Sequence, residues 1–275
     1  MLKKVIIFLI LLLISIVVFL TVFTSCRVHD LNMLNQSIEE ENYEDFQYYL
    51  KRVGNLDAIP KSFFLARLSE WTYMTPLQTA CKVGNDQMVQ DLVQAGANVN
   101  FIIEDIAPFS PLMCAATSSS EENLKIVNYL IQQGADVRYR KKQYDADVLY
   151  QVAISKEIPN NLEIFDLLVD HGANVAYSHK SYSTLLNIAA FHGNDSLILH
   201  LIAKYRIDPN CISQSGYTAL IYYCRSSAPD SEIVRKLLES GADPSYIDPD
   251  GKTAYDHAIE RGHFEIATVL GEHRQ

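Results

Sequence analysis

The chain has 275 residues, of which 48% are apolar, and its formal net charge is −10. This apolar share is that of an ordinary globular protein, so most of the chain can bury a core. The acidic balance argues against a nucleic-acid partner, because nucleic acids require a basic surface. The 16 tyrosines are rigid, amphipathic side chains that suit both interfaces and repeat cores.

Residues 1–25 contain a long apolar run. Lys3 and Lys4 precede it, and the run extends from Val5 to Phe23. Such a run cannot remain in water, so it predicts an export signal or a membrane span. The two lysines favour the cytoplasmic side for the extreme N-terminus.

The apolar run ends in Thr24-Ser25-Cys26. This resembles the signal of bacterial lipoproteins, in which small residues precede a cysteine that becomes lipid-modified, although Phe23 stands where those signals usually carry leucine. The resemblance implies a lipid on Cys26 that tethers the rest of the chain to a bilayer leaflet. The alternative is an uncleaved membrane anchor in which Cys26 is an ordinary residue. Either alternative predicts a membrane-anchored protein that faces the periplasm or the cell exterior.

Residues 26–71 predict a linker and a divergent N-terminal capping repeat. Apolar residues at helical spacing run from Leu31 to Leu50, and polar Glu39 to Asn42 interrupts them like a turn between paired helices. A terminal repeat needs a more polar outer face for solubility.

A repeating unit occupies residues 72–275. Successive units begin 35, 37, 37, 34 and 35 residues apart. The starting positions are Thr75, Ser110, Asp147, Thr184, Thr218 and Thr253. A hydroxyl at this place can cap a helix by accepting from an orphan backbone N–H. Pro76 and Pro111 then suit the first helical turn, so the pattern predicts about six units.

Most units close with glycine followed by Ala and then Asn or Asp. The closing glycines are Gly96, Gly134, Gly172 and Gly241. Glycine just past a helix adopts the left-handed conformation at little cost. The Thr184 unit has Tyr205-Arg206-Ile207 instead, so we expect Arg206 either to be strained or to end its helix differently.

The Thr-Pro-Leu openings, the paired helices and the Gly-Ala-Asn/Asp-Val closings resemble ankyrin repeats, whose period is about 33 residues. The resemblance covers about Leu31 to Gln275. It implies an all-α solenoid of helix-turn-helix pairs with hairpin fingers, preceded by the N-terminal signal or anchor. One unit cannot bury its apolar face alone, whereas stacked neighbours can.

The cysteines do not predict a disulfide framework. Cys81, Cys114 and Cys224 fall at or near small-residue positions of first helices, so we expect them to be buried. Cys81 and Cys224 should lie several repeats apart, beyond the roughly 7 Å between Cα atoms that a bridge allows. Cys211 lies in a loop.

We find no pattern that predicts catalysis, a metal or a cofactor. The eight histidines are scattered, and His192 and His263 stand beside inter-helix glycines, as is normal in ankyrin repeats. The chain has no Gly-x-Ser-x-Gly elbow and no phosphate-binding loop.

Binding is the better hypothesis. In ankyrin proteins the concave face is built from the fingers and the first helices. Exposed aromatic residues with arginine have the composition of interface hot spots, although several could instead pack against the next finger. The predicted partner-binding residues are Phe101, Ile103, Tyr139, Arg140, Tyr144, Tyr177, Tyr182, Phe191, Tyr222 and Tyr246. The basic cluster Arg138 to Lys142 is interpreted as a solvated finger tip rather than a site for an acidic partner.

The sequence therefore predicts a monomeric, membrane-tethered ankyrin scaffold that binds another protein. By resemblance, exported bacterial ankyrin proteins include some that neutralise a toxin or secreted effector in their own compartment, so an immunity-type inhibitor is one hypothesis. A structural adaptor that holds an envelope enzyme at the membrane is the other. An inhibitor should bind one partner very tightly and abolish its activity.

Overall fold

The computed structural model describes residues 28–58, 74–102, 109–141, 145–176 and 184–273. Within these ranges the chain forms consecutive helix-turn-helix pairs, and the one β-type pairing there is an isolated bridge between Lys141 and Ala146. The predicted all-α ankyrin architecture is confirmed for this part of the chain.

Helix α1 covers residues 28–39. The helices that follow are α2 (Tyr43–Leu50), α3 (Pro76–Val83), α4 (Asp86–Gln94), α5 (Pro111–Ala116), α6 (Asn123–Gln132), α7 (Val148–Ile154), α8 (Asn161–Asp170), α9 (Leu185–His192), α10 (Asp195–Ala203), α11 (Ala219–Cys224), α12 (Ser231–Glu239), α13 (Ala254–Arg261) and α14 (Phe264–Glu272). The pair α1–α2 is the N-terminal cap. The pairs from α3–α4 to α13–α14 are repeats 1 to 6.

The first helix of every repeat starts at a capped residue. At all six predicted positions the side chain accepts from the backbone N–H three residues on. Repeats 1 and 6 add the reciprocal bond, in which the side chains of Gln78 and Asp256 accept from the backbone N–H groups of Thr75 and Thr253, each at 2.8 Å. Each cap contributes about 1 kcal/mol to helix stability.

The ends of the second helices also follow the sequence prediction. Gly96, Gly134, Gly172 and Gly241 all have φ between 86° and 97°, whereas the equivalent Arg206 has φ of 50°. A side chain in this left-handed region costs about 1 kcal/mol. The expected strain at Arg206 is therefore confirmed.

Neighbouring repeats stack first helix on first helix and second helix on second helix, for example α9 on α11 and α10 on α12. The apolar stripes of all the pairs form one continuous core, from Leu34 in the cap to Leu270 in repeat 6. Tyr223 and Phe165 are among its largest fully buried side chains. Burial of this shared core is what holds the solenoid together.

Three of the cysteines belong to this core. Cys81, Cys114 and Cys224 are buried and unbridged, and Cys211 is half-buried and unbridged. Burial raises the pKa of the Cys114 thiol to about 12 and that of Cys224 to about 12. The predicted role of these cysteines as small apolar side chains is confirmed.

The N-terminal cap has the predicted pair of helices around a turn at residues 40–42. Leu34 and Phe46 are fully buried in it. The cap is joined to repeat 1 by two hydrogen bonds. Tyr43 and Gln47 both donate to a carboxylate oxygen of Asp91, each at 2.6 Å. The predicted boundaries at 25 and 71 lie outside the described residues and stay predictions.

None of the helices in the described ranges is long and apolar enough to cross a membrane. The apolar run Val5 to Phe23 and Cys26 lie outside those ranges, so the predicted anchor stays a prediction.

Replacing Arg206 by glycine should raise the free energy of unfolding by about 1 kcal/mol, because glycine removes the left-handed strain. Arg206 is exposed, so little packing is lost. Urea unfolding followed by circular dichroism measures the change. The matched control is Gly241→Arg at the equivalent turn, which should lower stability by at least a similar amount. Destabilisation by Arg206→Gly would contradict the strain.

Candidate protein-interaction surface

Five of the residues predicted for membrane tethering or partner binding lie outside the described residues: Cys26, Ile103, Tyr144, Tyr177 and Tyr182. The structure describes the other six. These are Phe101, Tyr139, Arg140, Phe191, Tyr222 and Tyr246. They divide into a group near repeats 1 to 3 and a group in repeats 4 to 6.

In the group near repeats 1 to 3, most side chains make contacts within the protein itself. Phe101 and Tyr139 are half-buried, and Tyr139 packs against the core. Arg140 is exposed and forms an ion pair with Asp145, with Nη2 and Oδ1 2.7 Å apart. Arg138 donates from Nε to the carbonyl of Gly172 at 3.0 Å, bracing the next repeat.

Lys141 corrects the interpretation of the basic cluster as a solvated finger tip. It is only 3% exposed, and its Nζ lies 3.0 Å from the ring centroid of Phe109. Burial lowers the pKa of Lys141 to about 8. An ammonium group over the face of an aromatic ring is held by a favourable cation–π interaction.

The later group forms a continuous aromatic ribbon across repeats 4 to 6, consisting of Phe191, Tyr222, Tyr217 and His257. Successive ring centroids lie 5.6, 5.5 and 5.9 Å apart, and each pair meets edge to face. Such pairs add about 1 kcal/mol each beyond their buried area. The guanidinium of Arg225 covers the Tyr217 ring, with Cζ 4.6 Å from its centroid.

Tyr222 does not have the exposure expected of a contact residue. It is 5% exposed, and its hydroxyl donates to Oγ of Ser213 at 3.0 Å. The ring instead supports Phe191, which is 45% exposed. Within the ribbon, Phe191 is therefore the direct contact candidate and Tyr222 is its support.

Two adjacent fingers stand beside the ribbon: finger 4 (residues 208–217) and finger 5 (residues 243–252). Ile212 and Ile247 occupy equivalent positions in them and are 50% and 62% exposed. Both fingers close with the same backbone bond, from Ser213 N–H to the Tyr217 carbonyl and from Asp248 N–H to the Lys252 carbonyl. Fingers 4 and 5 thus each expose an isoleucine at the same position of the repeat.

Hydrogen bonds between repeats hold the two fingers together. The Asn210 side chain donates to the Gly241 carbonyl and accepts from the Asp243 N–H, each at 2.8 Å. Asn100 makes the same pair of contacts with repeat 2. Tyr246 is half-buried and its hydroxyl donates to the Gly216 carbonyl at 3.0 Å. Tyr246 therefore braces the surface rather than forming its centre.

Finger 5 is fixed by a buried polar pair. Nε2 of His257 lies 2.6 Å from a carboxylate oxygen of Asp248, and both side chains are almost fully buried. Burial by itself raises the pKa of Asp248. The bonds from His257 and from the N–H groups of Lys252 and Asp250 outweigh burial and hold that pKa below its usual value.

At Gly216 the two fingers come very close. A Cβ at this position would lie 2.3 Å from Cγ of Pro249, and the φ of Gly216 is 78°. Only glycine satisfies both the close approach and the backbone conformation.

Sequence reasoning missed Ile212 and Tyr217 as members of this surface. The signal was available, since Ile212 and Ile247 stand 35 residues apart in the same place of two repeats. No cluster of three or more His, Cys, Asp or Glu side chains suited to a metal occurs among the described residues. The chemistry that this surface offers is contact with an apolar or aromatic partner surface.

The chain belongs to the ankyrin-repeat family. The family model for ankyrin repeats (3 copies) matches residues 34–141, 77–179 and 186–275. Ankyrin repeats are typically non-enzymatic scaffolds for protein–protein interaction, and the fold described above is of that class.

Similar curated proteins match over short stretches. Ankyrin repeat protein L92 of Acanthamoeba polyphaga mimivirus is 49% identical over 55 residues, which cover 20% of this chain and 13% of that protein. The NAD-capped RNA hydrolase NUDT12 of Homo sapiens is 43% identical over 61 residues, or 22% of this chain and 13% of that protein. Ankyrin repeat protein YahD of Escherichia coli (strain K12) is 36% identical over 88 residues, 31% of this chain and 44% of that protein. The chain thus spans less than half the length of each of these relatives.

Solved structures match over most of the chain. The human ASB11 ankyrin repeat domain has a TM-score of 0.70 at 18% identity, covering 88% of this chain and 97% of that one, and supports the fold alone. A chain in the complex of the Bdellovibrio bacteriovorus predatory endopeptidase Bd0816 with immunity protein Bd3460 has a TM-score of 0.60 at 25% identity. The match covers 71% of this chain and 96% of that chain. An ankyrin repeat domain (ABAYE2397) from Acinetobacter baumannii AYE has a TM-score of 0.57 at 26% identity, covering 72% and 96%.

Removing the imidazole in His257→Ala should lower the free energy of unfolding by about 2 kcal/mol, because a buried carboxylate loses a hydrogen bond. The pKa of Asp248 is depressed in the folded state, so the ionised carboxylate stabilises the fold. Its contribution is therefore present above about pH 4, the ordinary aspartate value, and is lost as the pH falls through the folded-state pKa.

Urea unfolding at several pH values measures both effects. The matched control is His171→Ala, at an exposed helix end, which should change stability by less than about 0.5 kcal/mol. Equal stability of the two variants at pH 7 would contradict the role of the buried pair.

Proposed function

We propose that the protein is an exported, membrane-tethered ankyrin scaffold that binds one protein partner through the aromatic ribbon and fingers 4 and 5. The partner is a toxin or secreted effector of the same compartment, which the scaffold neutralises as an immunity-type protein. The observation that carries the binding role is the exposure of Phe191 on first helix α9 and of Ile212 and Ile247 in fingers 4 and 5, with Phe191 joined to finger 4 through the Tyr222 and Tyr217 rings.

The composition of this surface is that of an interface centre. Large apolar side chains surrounded by tyrosine and arginine are the residue types on which binding energy concentrates. Phe191 rests edge to face on buried Tyr222, and Arg225 lies over Tyr217. A partner that covers them would bury apolar area without leaving the tyrosine hydroxyls unpaired, because Tyr222 and Tyr217 already donate to Ser213 and Asp250.

The surface is also preorganised. The Asn210 bonds and the His257–Asp248 pair hold fingers 4 and 5 before any partner arrives. A fixed surface loses little conformational entropy on association, so more of the contact energy appears as affinity. Tight binding to one partner is the property that an inhibitor requires.

The second-helix side of the repeats is different in character. Ion pairs between successive second helices occur there, such as Lys125 with Asp86 at 2.6 Å and Lys204 with Asp166 at 2.8 Å. Charged pairs of this kind suit a solvated surface. The first-helix and finger side also has an ion pair, Lys252 with Glu260 at 2.6 Å, so the binding side is proposed from its aromatic and isoleucine side chains rather than from an absence of charge.

Two further observations support the compartment and the inhibitory role. The N-terminal apolar run followed by Cys26 resembles a lipoprotein signal, and this resemblance supports an array outside the cytoplasm. The likeness to a chain of the endopeptidase–immunity protein complex extends over 71% of this chain. An immunity-type role requires that the partner be active alone and inactive in the complex.

A pull-down from envelope extract, followed by titration calorimetry with the purified partner, tests the surface. The double variant Phe191→Ala/Ile247→Asp should weaken binding at least about 30-fold, which corresponds to about 2 kcal/mol. The matched control is Leu199→Ala, a 38% exposed residue on second helix α10, which should bind like the wild type. Equal binding by all three proteins would place the interface elsewhere.

The partner's own activity then separates inhibitor from adaptor. Stoichiometric wild-type protein should abolish that activity, and the double variant should not. A partner that binds through this surface and keeps its full activity would show an adaptor rather than an immunity-type protein.

Substituting Cys26→Ala tests the lipid anchor. Metabolic labelling with a radioactive fatty acid should mark the wild type and leave the variant unlabelled, because the thiol is the acceptor of the lipid. Cys211→Ala, which removes a half-buried cysteine of finger 4, serves as the control and should keep the label. A wild type that stays in the membrane without any label would instead indicate an uncleaved anchor helix.

A further inference from the structure

The N-terminal cap carries a second exposed surface, at the end of the molecule opposite repeat 6. We infer that Tyr48, Lys51 and Arg52 dock on the anionic headgroups of the bilayer in which the N-terminus is anchored. This inference rests on the membrane tether proposed above and adds a defined contact between the folded array and the lipid surface.

The length of chain before the cap limits how far it can stand from the membrane. The described part of α1 begins at residue 28, two residues after Cys26. Two residues span at most about 7 Å. With a lipid on Cys26, the first turn of α1 therefore lies at the depth of the headgroups. After an uncleaved span that ends at Phe23, five residues, or at most about 18 Å, separate the first turn of α1 from the span.

The proposed docking residues lie at this same end of the cap. Nε of Arg52 donates to Oδ1 of Asp30 at 3.2 Å, which ties the end of α2 to the first turn of α1. Cζ of Arg52 lies 5.2 Å from the Tyr48 ring centroid. Tyr48 meets Tyr49 edge to face at 5.0 Å. Arg52 thus holds Tyr48 beside the point where the anchor enters the fold.

The exposure and chemistry of these side chains suit a bilayer surface. Tyr48 is 55% exposed, one of the larger exposed apolar areas among the described residues. Lys51 and Arg52 are exposed beside it. Tyrosine is enriched at the level of the headgroups, and lysine and arginine near an anionic leaflet are attracted to it.

The opposite end of the cap has the opposite charge. Its acidic residues are exposed around the turn between α1 and α2. They are Glu39, Glu40, Glu41, Glu44 and Asp45. The 12 residues of α1 from 28 to 39 place this turn about 18 Å from the first turn of the helix. Asp30 offsets part of the charge of Arg52 at the basic end, whereas the acidic end has five exposed carboxylates. An anionic surface therefore repels the acidic end more strongly, so charge favours one orientation of the cap.

The test uses the full chain reconstituted in vesicles of phosphatidylcholine, with or without phosphatidylglycerol, in which some lipids carry brominated acyl chains. Tyr48→Trp adds a tryptophan at the proposed contact, and Tyr43→Trp adds one in the same helix near the acidic turn. The wild-type emission is subtracted from both. Brominated lipid should quench the added tryptophan of Tyr48→Trp and leave that of Tyr43→Trp unquenched.

The charge dependence is tested in the Tyr48→Trp background. Lys51→Gln should lower the ratio of docked to undocked protein about fivefold on vesicles with phosphatidylglycerol and leave it unchanged on phosphatidylcholine. The matched control Lys156→Gln, an exposed lysine between α7 and α8, should have no effect on either.

Flotation of the vesicles in the same samples separates the two proposals. Protein that floats with the vesicles but shows equal quenching for the two tryptophan variants would overturn the docking and leave the tether in place. Protein that does not float would overturn the tether and the docking together.

Discussion

The structure depends on the burial of apolar surface between neighbouring repeats. A pair of short helices such as α11 and α12 has no core of its own, and Tyr223 and Cys224 are fully buried only because α9 and α13 lie on either side of α11. Each repeat is therefore stabilised by its neighbours, and the continuous core from the cap to repeat 6 is the sum of these shared layers. The same constraint explains the spacing of the sequence, because every unit must present the same stripe to the next.

The fingers are held differently, because they are too short to form a core of their own. Polar groups fix them instead: the Asn100 and Asn210 side chains join successive finger bases, and His257 binds the carboxylate of Asp248. Backbone groups of a tight turn are satisfied in this way without a sheet. Ile212 and Ile247 do not belong to the buried core and are exposed on the surface of these fingers.

Features set by local chemistry were predictable from the sequence, and features set by contacts between repeats were not. The helix caps and the left-handed strain at Arg206 each follow from a residue and its neighbours in the chain. The burial of Cys81 and Cys224 was predictable for another reason, because both occupy small-residue positions of the repeat pattern. The burial of Tyr222 and Lys141 does not, because a tyrosine or lysine at those positions could equally face solvent. Burial of Tyr222 depends on Ser213 in finger 4, and burial of Lys141 depends on Phe109 in the preceding repeat unit. Phe191 was predicted from its place on a first helix, whereas Ile212 required comparison of two fingers.

The close approach of Gly216 to Pro249 has a consequence for what can bind. Because no side chain fits between them, finger 4 packs directly against finger 5, and Ile212 and Ile247 follow the spacing of successive repeats. The distance between the two isoleucines is therefore the distance between equivalent positions of two neighbouring repeats. A protein that engages both must present two apolar recesses at that spacing, so selectivity here is a matter of distance as well as of chemistry.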